Sequence, residues 1–326
     1  MSHGSSAQLA SASLRLRGVF RTTEPVLTVP VPGPLLMEMA LRALVEHRAL
    51  VLVAGPAGET LARAAEALGK EVLRLMVRPG EVVEPSHLAR FLAGPPVDSV
   101  VLAHADLAAG TLAPLAELAR VVRARRELLL LVEASGSLGT TAVETDGWGL
   151  DCVVAQGDHG LALAPGLAFA AVSRRALARA RTEPDRGEEL DLVRQQAAAS
   201  RGQAAGPVPA PLAAELDERL RRILEVEGLE ARWSRHAALR RLADEWGERQ
   251  AAVRLLGAVP RRAPGFTCLE LAADRTAGEA MAALAARGVT WAEEIPENPR
   301  RLRLRHMGEV RPEELAGALE LLATPP

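Results

Sequence analysis

The strongest constraint on the fold is a regular alternation of short aliphatic runs with helix-forming segments. Residues 26–31, 50–54, 71–76, 99–103 and 128–132 read as strands, and residues 35–47, 59–68, 87–92 and 112–123 read as the helices between them. Apolar strands without polar alternation suit a sheet buried on both faces, and an intervening helix lets successive strands run parallel. The predicted fold is α/β, a mainly parallel sheet sandwiched by helices.

Two of these runs end on polar residues. The run at 128–132 is followed by Glu133, and a run at 152–155 by Gln156-Gly157-Asp158-His159. Both strands deliver them at their C-terminal ends, the edge where open α/β sheets bind ligands.

Residues 212–245 read as long helical structure with Gly228 as a bend. A smaller α+β unit follows, with strands at 253–256, 266–271, 289–292 and 302–304 and helices at 277–286 and 312–322. The expected division is an N-terminal segment 1–18, a large domain 19–211, and a linking helix with small C-terminal domain 212–326.

At 326 residues the chain is long enough for a substantial core, and a formal charge of -2 gives no reason to expect a nucleic-acid or membrane partner. Cys152 and Cys268 lie in apolar strand-like runs and read as reduced core residues. No apolar segment reaches about 18 residues, and no signal-like N-terminus is present, so the expected compartment is the cytoplasm. No metal-ligand spacing and no internal repeat are found. Of the 39 basic residues Lys70 is the only lysine. It follows a helix-stop glycine and enters the next strand at the end opposite the ligand edge.

The stretch LLLLVEASGSLGTTAVETDGWGLDCVVAQGDHGLALAPGLAF, from Leu128 to Phe169, resembles the core of class V pyridoxal-phosphate (PLP) aminotransferases of the serine-pyruvate and alanine-glyoxylate type. There the pattern is LLVDAVSSLGG, then D-WGID, then VVSGSQKAL-PPGLAF, and the frame fits without a gap. EGLEARWSRH and HMGEV extend the resemblance through the rest of the chain. It implies a fold-type I PLP-transferase architecture and a dimer.

The resemblance also assigns roles. In that family the first acid pairs with the pyridine nitrogen of PLP, and the lysine after Gln bonds to its aldehyde carbon. Glu133 stands at the acid, Asp158 at the Gln and His159 at the lysine; imidazole is not a primary amine and cannot form the imine. Gly33, in Val31-Pro32-Gly33-Pro34, falls in the phosphate loop that relatives write SGSGT, and its two prolines remove N–H donors. His104 falls where the family tends to have His, with the hydroxyls after it replaced by Leu107, Ala108 and Ala109. Gly206 and Pro207 stand where relatives send residues to the neighbouring subunit's phosphate. Arg303 matches the arginine that grips a substrate carboxylate, and Arg305 replaces a glycine beside it. Relatives also carry an N-terminal stretch before the point at which this sequence starts.

These departures lead to the expectation of an aminotransferase-like pseudoenzyme, a dimeric binding, structural or regulatory protein. It would be a homodimer or pair with an active relative, with no cofactor, or PLP held only non-covalently. The alternative is a PLP-dependent or PLP-binding family enzyme acting on a small amino or keto acid, with His159 in place of the lysine. A non-imine variant would use Asp158, His159 and Glu133 as acid–base groups, with Arg303 and Arg305 holding an anionic substrate.

Overall fold

The computed structural model describes residues 3–251, 253–296 and 298–323. In chain order the first half runs α1 (His3–Phe20), β1 (Val26–Val29), α2 (Gly33–Leu44), β2 (Arg48–Val53), α3 (Pro56–Ala67), β3 (Glu71–Met76), α4 (Pro85–Leu92), β4 (Ser99–Ala103), a hairpin of β5 (Ala105–Asp106) and β6 (Thr111–Leu112), α5 (Leu115–Arg123) and β7 (Leu129–Glu133). Then come α6 (Thr145–Trp148), β8 (Cys152–Gln156), β9 (Ala168–Val172), α7 (Arg174–Thr182), α8 (Leu192–Ala199), α9 (Ala210–Arg221), a π-helical turn (Arg222–Glu227) and α10 (Leu229–Glu248). The chain closes with β10 (Val253–Leu255), β11 (Thr267–Leu271), α11 (Ala277–Ala285), β12 (Ala292–Glu294), β13 (Arg301–Leu304) and α12 (Pro312–Ala323).

The large sheet has seven strands in the order β1-β9-β8-β7-β4-β2-β3. Strands β3, β2, β4, β7 and β8 pair in parallel, and β9 runs antiparallel to both β8 and β1. The period-2 alternation of strand side chains divides the aliphatic runs between two cores. Leu50, Leu52, Leu130, Val132 and Val153 face one; Val51, Val53, Leu129, Leu131 and Val154 face the other. Each layer is covered by helices, which is why no strand needed a polar face.

Two elements differ from the sequence reading, and a third is interrupted at Gly228, where that reading set a bend. The sequence reads as a short helix only from Leu14 to Phe20, whereas α1 begins at His3, because Leu9, Ala12, Leu16, Val19 and Phe20 continue one buried stripe that packs on α9. The strand expected at 289–292 begins only at Ala292, because the N–H of Val289 closes the end of α11 by donating to Leu284 O at 3.0 Å. The helix expected over 212–245 is split by the π-helical turn, which ends at Gly228, φ 83°.

The small sheet is antiparallel, in the order β10-β11-β13-β12. Its apolar face packs on α10, α11 and α12 around Leu239, Ala243, Leu269, Leu284, Leu302 and Leu315. Phe266, Cys268, Ile295 and Met307 pack against Ala105 of the large domain. The small domain is thereby seated over the C-terminal edge of the large sheet.

No helix among the described residues is long and apolar enough to cross a membrane. Burial pushes the thiols of Cys152 and Cys268 up to about 12, and both are free core cysteines.

Candidate functional site

Strands β4, β7 and β8 end side by side, with Ala103 paired to Glu133 and Glu133 to Val154. The N–H of His104 donates to Glu133 O at 2.8 Å, and Ala134 N–H to Val154 O at 2.7 Å. This register gathers His104, Glu133 and the segment from Gln156 to His159 at one edge, as their positions in the sequence predicted.

Burial pushes the Glu133 carboxyl above the usual carboxylate range, and the nearby negative charge of Asp106 adds to this. The Ser135 N–H, 2.8 Å from Oε1, and the positive field of His159 oppose it. His104 is 3% exposed, its Nδ1 has no partner among the described residues, and burial lowers its pKa to about 3. It is a neutral imidazole.

Adjacency in sequence does not make Asp158 and His159 a pair, yet Nδ1 of His159 lies 3.1 Å from Oδ1 of Asp158. That contact, with the charge of Arg305 beyond it, holds the Asp158 carboxyl below its usual range. The loop behind them is tightly fitted: a Cβ on Gly160 would fall 2.0 Å from Leu138 O. The Gly160 carbonyl accepts from Arg232 Nη2 at 2.9 Å. Arg232 is fully buried because it shares the inward stripe of α10 with Leu229, His236, Leu239 and Ala243.

At the start of α2, Pro32 and Pro34 carry no N–H, and the N–H groups of Leu35 and Leu36 donate to Pro32 O at 3.1 and 3.3 Å. The side chain of Gln156 covers Gly33; a Cβ there would meet Gln156 Cγ at 2.1 Å.

Arg303 and Arg305 project from the same small-domain region and share one carboxylate. Arg303 Nε donates to Glu293 Oε2 at 3.1 Å and its Nη1 to Leu107 O at 2.8 Å. Arg305 Nη1 lies 3.1 Å from Glu293 Oε1. A substrate carboxylate would have to displace Glu293 to reach either fork.

Reasoning from sequence missed four participants. Gln156 was readable, because the gapless frame sets it at the glycine of VVSGSQKAL. Asp106, which accepts from the N–H groups of Ala57, Ala108 and Ala109 at 2.8 to 3.0 Å, ends the two-residue strand β5, too short to read from the sequence. Glu293 and Arg232 gave no local signal, since each acts on a different element.

A parallel sheet under helices, a small domain over its C-terminal edge and an acid at the end of a central strand define a fold-type I PLP-aminotransferase architecture. Aspartate aminotransferase of subgroup IV from Thermus thermophilus has this fold, with a TM-score of 0.87 at 27% identity over 98% of this chain and 90% of that one. The aminotransferase class-V family model matches residues 43–290, and the chain belongs to that family. Among curated relatives, the small subunit of a soluble hydrogenase from Synechococcus sp. (strain PCC 6716) is 28% identical over 71% of this chain and 61% of its own length. A 2-aminoethylphosphonate–pyruvate transaminase from Pseudomonas putida (strain GB-1) is 30% identical over 63% of this chain and 56% of its own. The matches thus span less than two thirds of these relatives.

Family membership corrects one expectation. The sequence reading anticipated no cofactor, whereas the aminotransferases to which the chain is related depend on PLP. The site fits that group unevenly. Glu133 is a carboxyl of the type that could hold a pyridine nitrogen, and burial raises it. At the position that the resemblance gives to the family's lysine stands the His159 imidazole, 3.1 Å from Asp158, and at the position that it gives to the phosphate loop Gln156 lies against Gly33.

Proposed function

We propose that this chain is a class V aminotransferase-family protein that has lost covalent PLP chemistry. It acts as a dimeric binding or regulatory protein, with PLP resting against Glu133 rather than bonded to the chain. The observation that supports the reading is His159: the residue that the resemblance sets at the family's lysine is an imidazole hydrogen-bonded to Asp158 at 3.1 Å. Such a group accepts or donates a proton and cannot hold a carbonyl carbon as an amine does. Lys70 does not substitute for it. It lies just before β3, at the N-terminal edge of the sheet, with Nζ 3.7 Å from Glu183.

The test is to add PLP to the purified protein, reduce with borohydride and weigh the intact chain, alongside its mass in solution. The expected result is an unmodified chain, no imine absorbance and a particle twice the 34.5 kDa chain mass. A chain heavier by one reduced PLP overturns the reading.

A further inference from the structure

A cleft of about 700 Å³ opens between α3 and the small domain, lined by neither Glu133, Asp158 nor His159. Its lining includes Val53, Val77, Leu256 and Ile295, and its charged groups include Arg63, Arg254 and Arg301. Their charge is not balanced locally. The carboxylate of Glu270 pairs with Arg254 at 2.9 Å, Arg300 at 3.0 Å and Arg301 at 3.0 Å. Three guanidiniums on one carboxylate make a cluster with two positive charges in excess, and Arg254 and Arg301 present it on the small-domain wall.

The opposite wall does not cancel this excess. Glu59 also lines the cleft, but it shares Arg74, at 3.1 Å, with Glu66, at 2.7 Å, so these three groups carry one negative charge, which offsets only part of the excess. Arg63, one helical turn along from Glu59, makes only a 3.5 Å contact with Thr60 among the described residues. The first turn of α3 is not the attracting group, since Asp106 already accepts from Ala57 N–H at 3.0 Å. The cleft therefore combines an apolar lining with guanidinium forks facing it from both domains.

We propose that this cleft binds a small organic anion with an apolar body. Its carboxylate or phosphate head is held by Arg254 and Arg301, and its body lies on Val77, Leu256 and Ile295. The site lies apart from Glu133, Asp158 and His159, although its lining includes Ala108 and Ala109, which stand where the family carries hydroxyls. Guanidinium forks match both carboxylate and phosphate geometry, and apolar contact sets them apart from a site for a bare ion. A bound anion touches Val77, just after β3 of the large sheet, and the small sheet together, so occupancy also ties the two domains.

The experiment uses the full chain with phenyl phosphate, phenylacetate and benzyl alcohol as probes, read by calorimetry and saturation-transfer NMR. The two anions should bind and the neutral alcohol should not. The double variant Arg254→Met/Arg301→Met should weaken phenyl phosphate about tenfold, the loss of two charge-assisted contacts. Both side chains are partly exposed, at 66% and 36%, which favours a folded variant. The single variant Arg63→Met, at an exposed helix position, gives a second readout and should weaken the same probe about threefold. Failure of both anions to bind, equal binding of benzyl alcohol, or undiminished binding by the folded variants overturns the proposal.

Discussion

Gln156 lies against Gly33 so closely that a Cβ on the glycine would fall 2.1 Å from its Cγ. The last residue of β8 thus covers the start of α2. Gly33→Ala should cost about 1–3 kcal/mol through overpacking, and Gln156→Ala should relieve most of that cost. Urea unfolding of the two single variants and the double variant measures the coupling. Additive effects would mean the two side chains do not compete for the space.

Arg232 links α10 to the loop carrying His159. It is fully buried, donates to Gly160 O at 2.9 Å, and pairs with Glu227 at 2.7 Å and Glu309 at 3.1 Å. Replacing it with Met leaves the Gly160 carbonyl unpaired, while Arg235 and Arg219 still hold the two acids at 2.8 and 2.9 Å. Destabilisation of about 2–4 kcal/mol is expected, below the cost of stranding a buried charge. Denaturant midpoints at equal m-value report it; a loss under about 0.5 kcal/mol would show that packing alone seats the loop.

Three buried histidines make stability depend on acid. Burial lowers His104 and His306 to about 3 and His236 well below its usual value, so all three are neutral in the folded chain. The unfolded chain takes up these protons near pH 6.5, and the folded chain does not. Stability is therefore full above about pH 6.5 and falls as pH drops toward 3, by on the order of 1 kcal/mol per unit for each histidine. Unfolding midpoints collected between about pH 7 and pH 5 should slope downward with acid. A flat profile contradicts the burial argument.

Glu133 works with the opposite sign. Burial raises its carboxyl, so the folded chain keeps a proton that the unfolded chain has released. Its contribution to stability is lost as pH climbs from the ordinary carboxylate range through the raised value. Glu133→Gln keeps an acceptor for the Ser135 N–H, 2.8 Å away in the parent, and removes the titration. The variant should gain on the parent steadily as pH rises, measured by thermal unfolding across that range. A pH-independent difference would place Glu133 in water.

Much of the architecture was legible because both sheet faces are buried. That requirement writes the strands as aliphatic runs, and a run such as Leu129–Glu133 announces its own C-terminal end with an acid. Glu133, Asp158 and His159 could therefore be placed at one edge before any coordinates. Helix α1 was legible only in part, because its stripe of Leu, Ala and Val is diluted by serine and arginine. The pairing partners were not legible at all. Arg303 and Glu293 sit on neighbouring antiparallel strands, and their register alone brings the fork onto the carboxylate.

The sequence by itself determined the α/β layering, the edge that carries polar residues, and the absence of a lysine there. Local periodicity and residue chemistry suffice for those, since each depends on one segment at a time. Tertiary structure decided that Gln156 lies over Gly33, that Glu293 holds Arg303 and Arg305, and that Arg232 is buried beneath the His159 loop. The physical reason is separation along the chain: Arg232 and Gly160 stand 72 residues apart, and no local period encodes which distant side chain fills a given space.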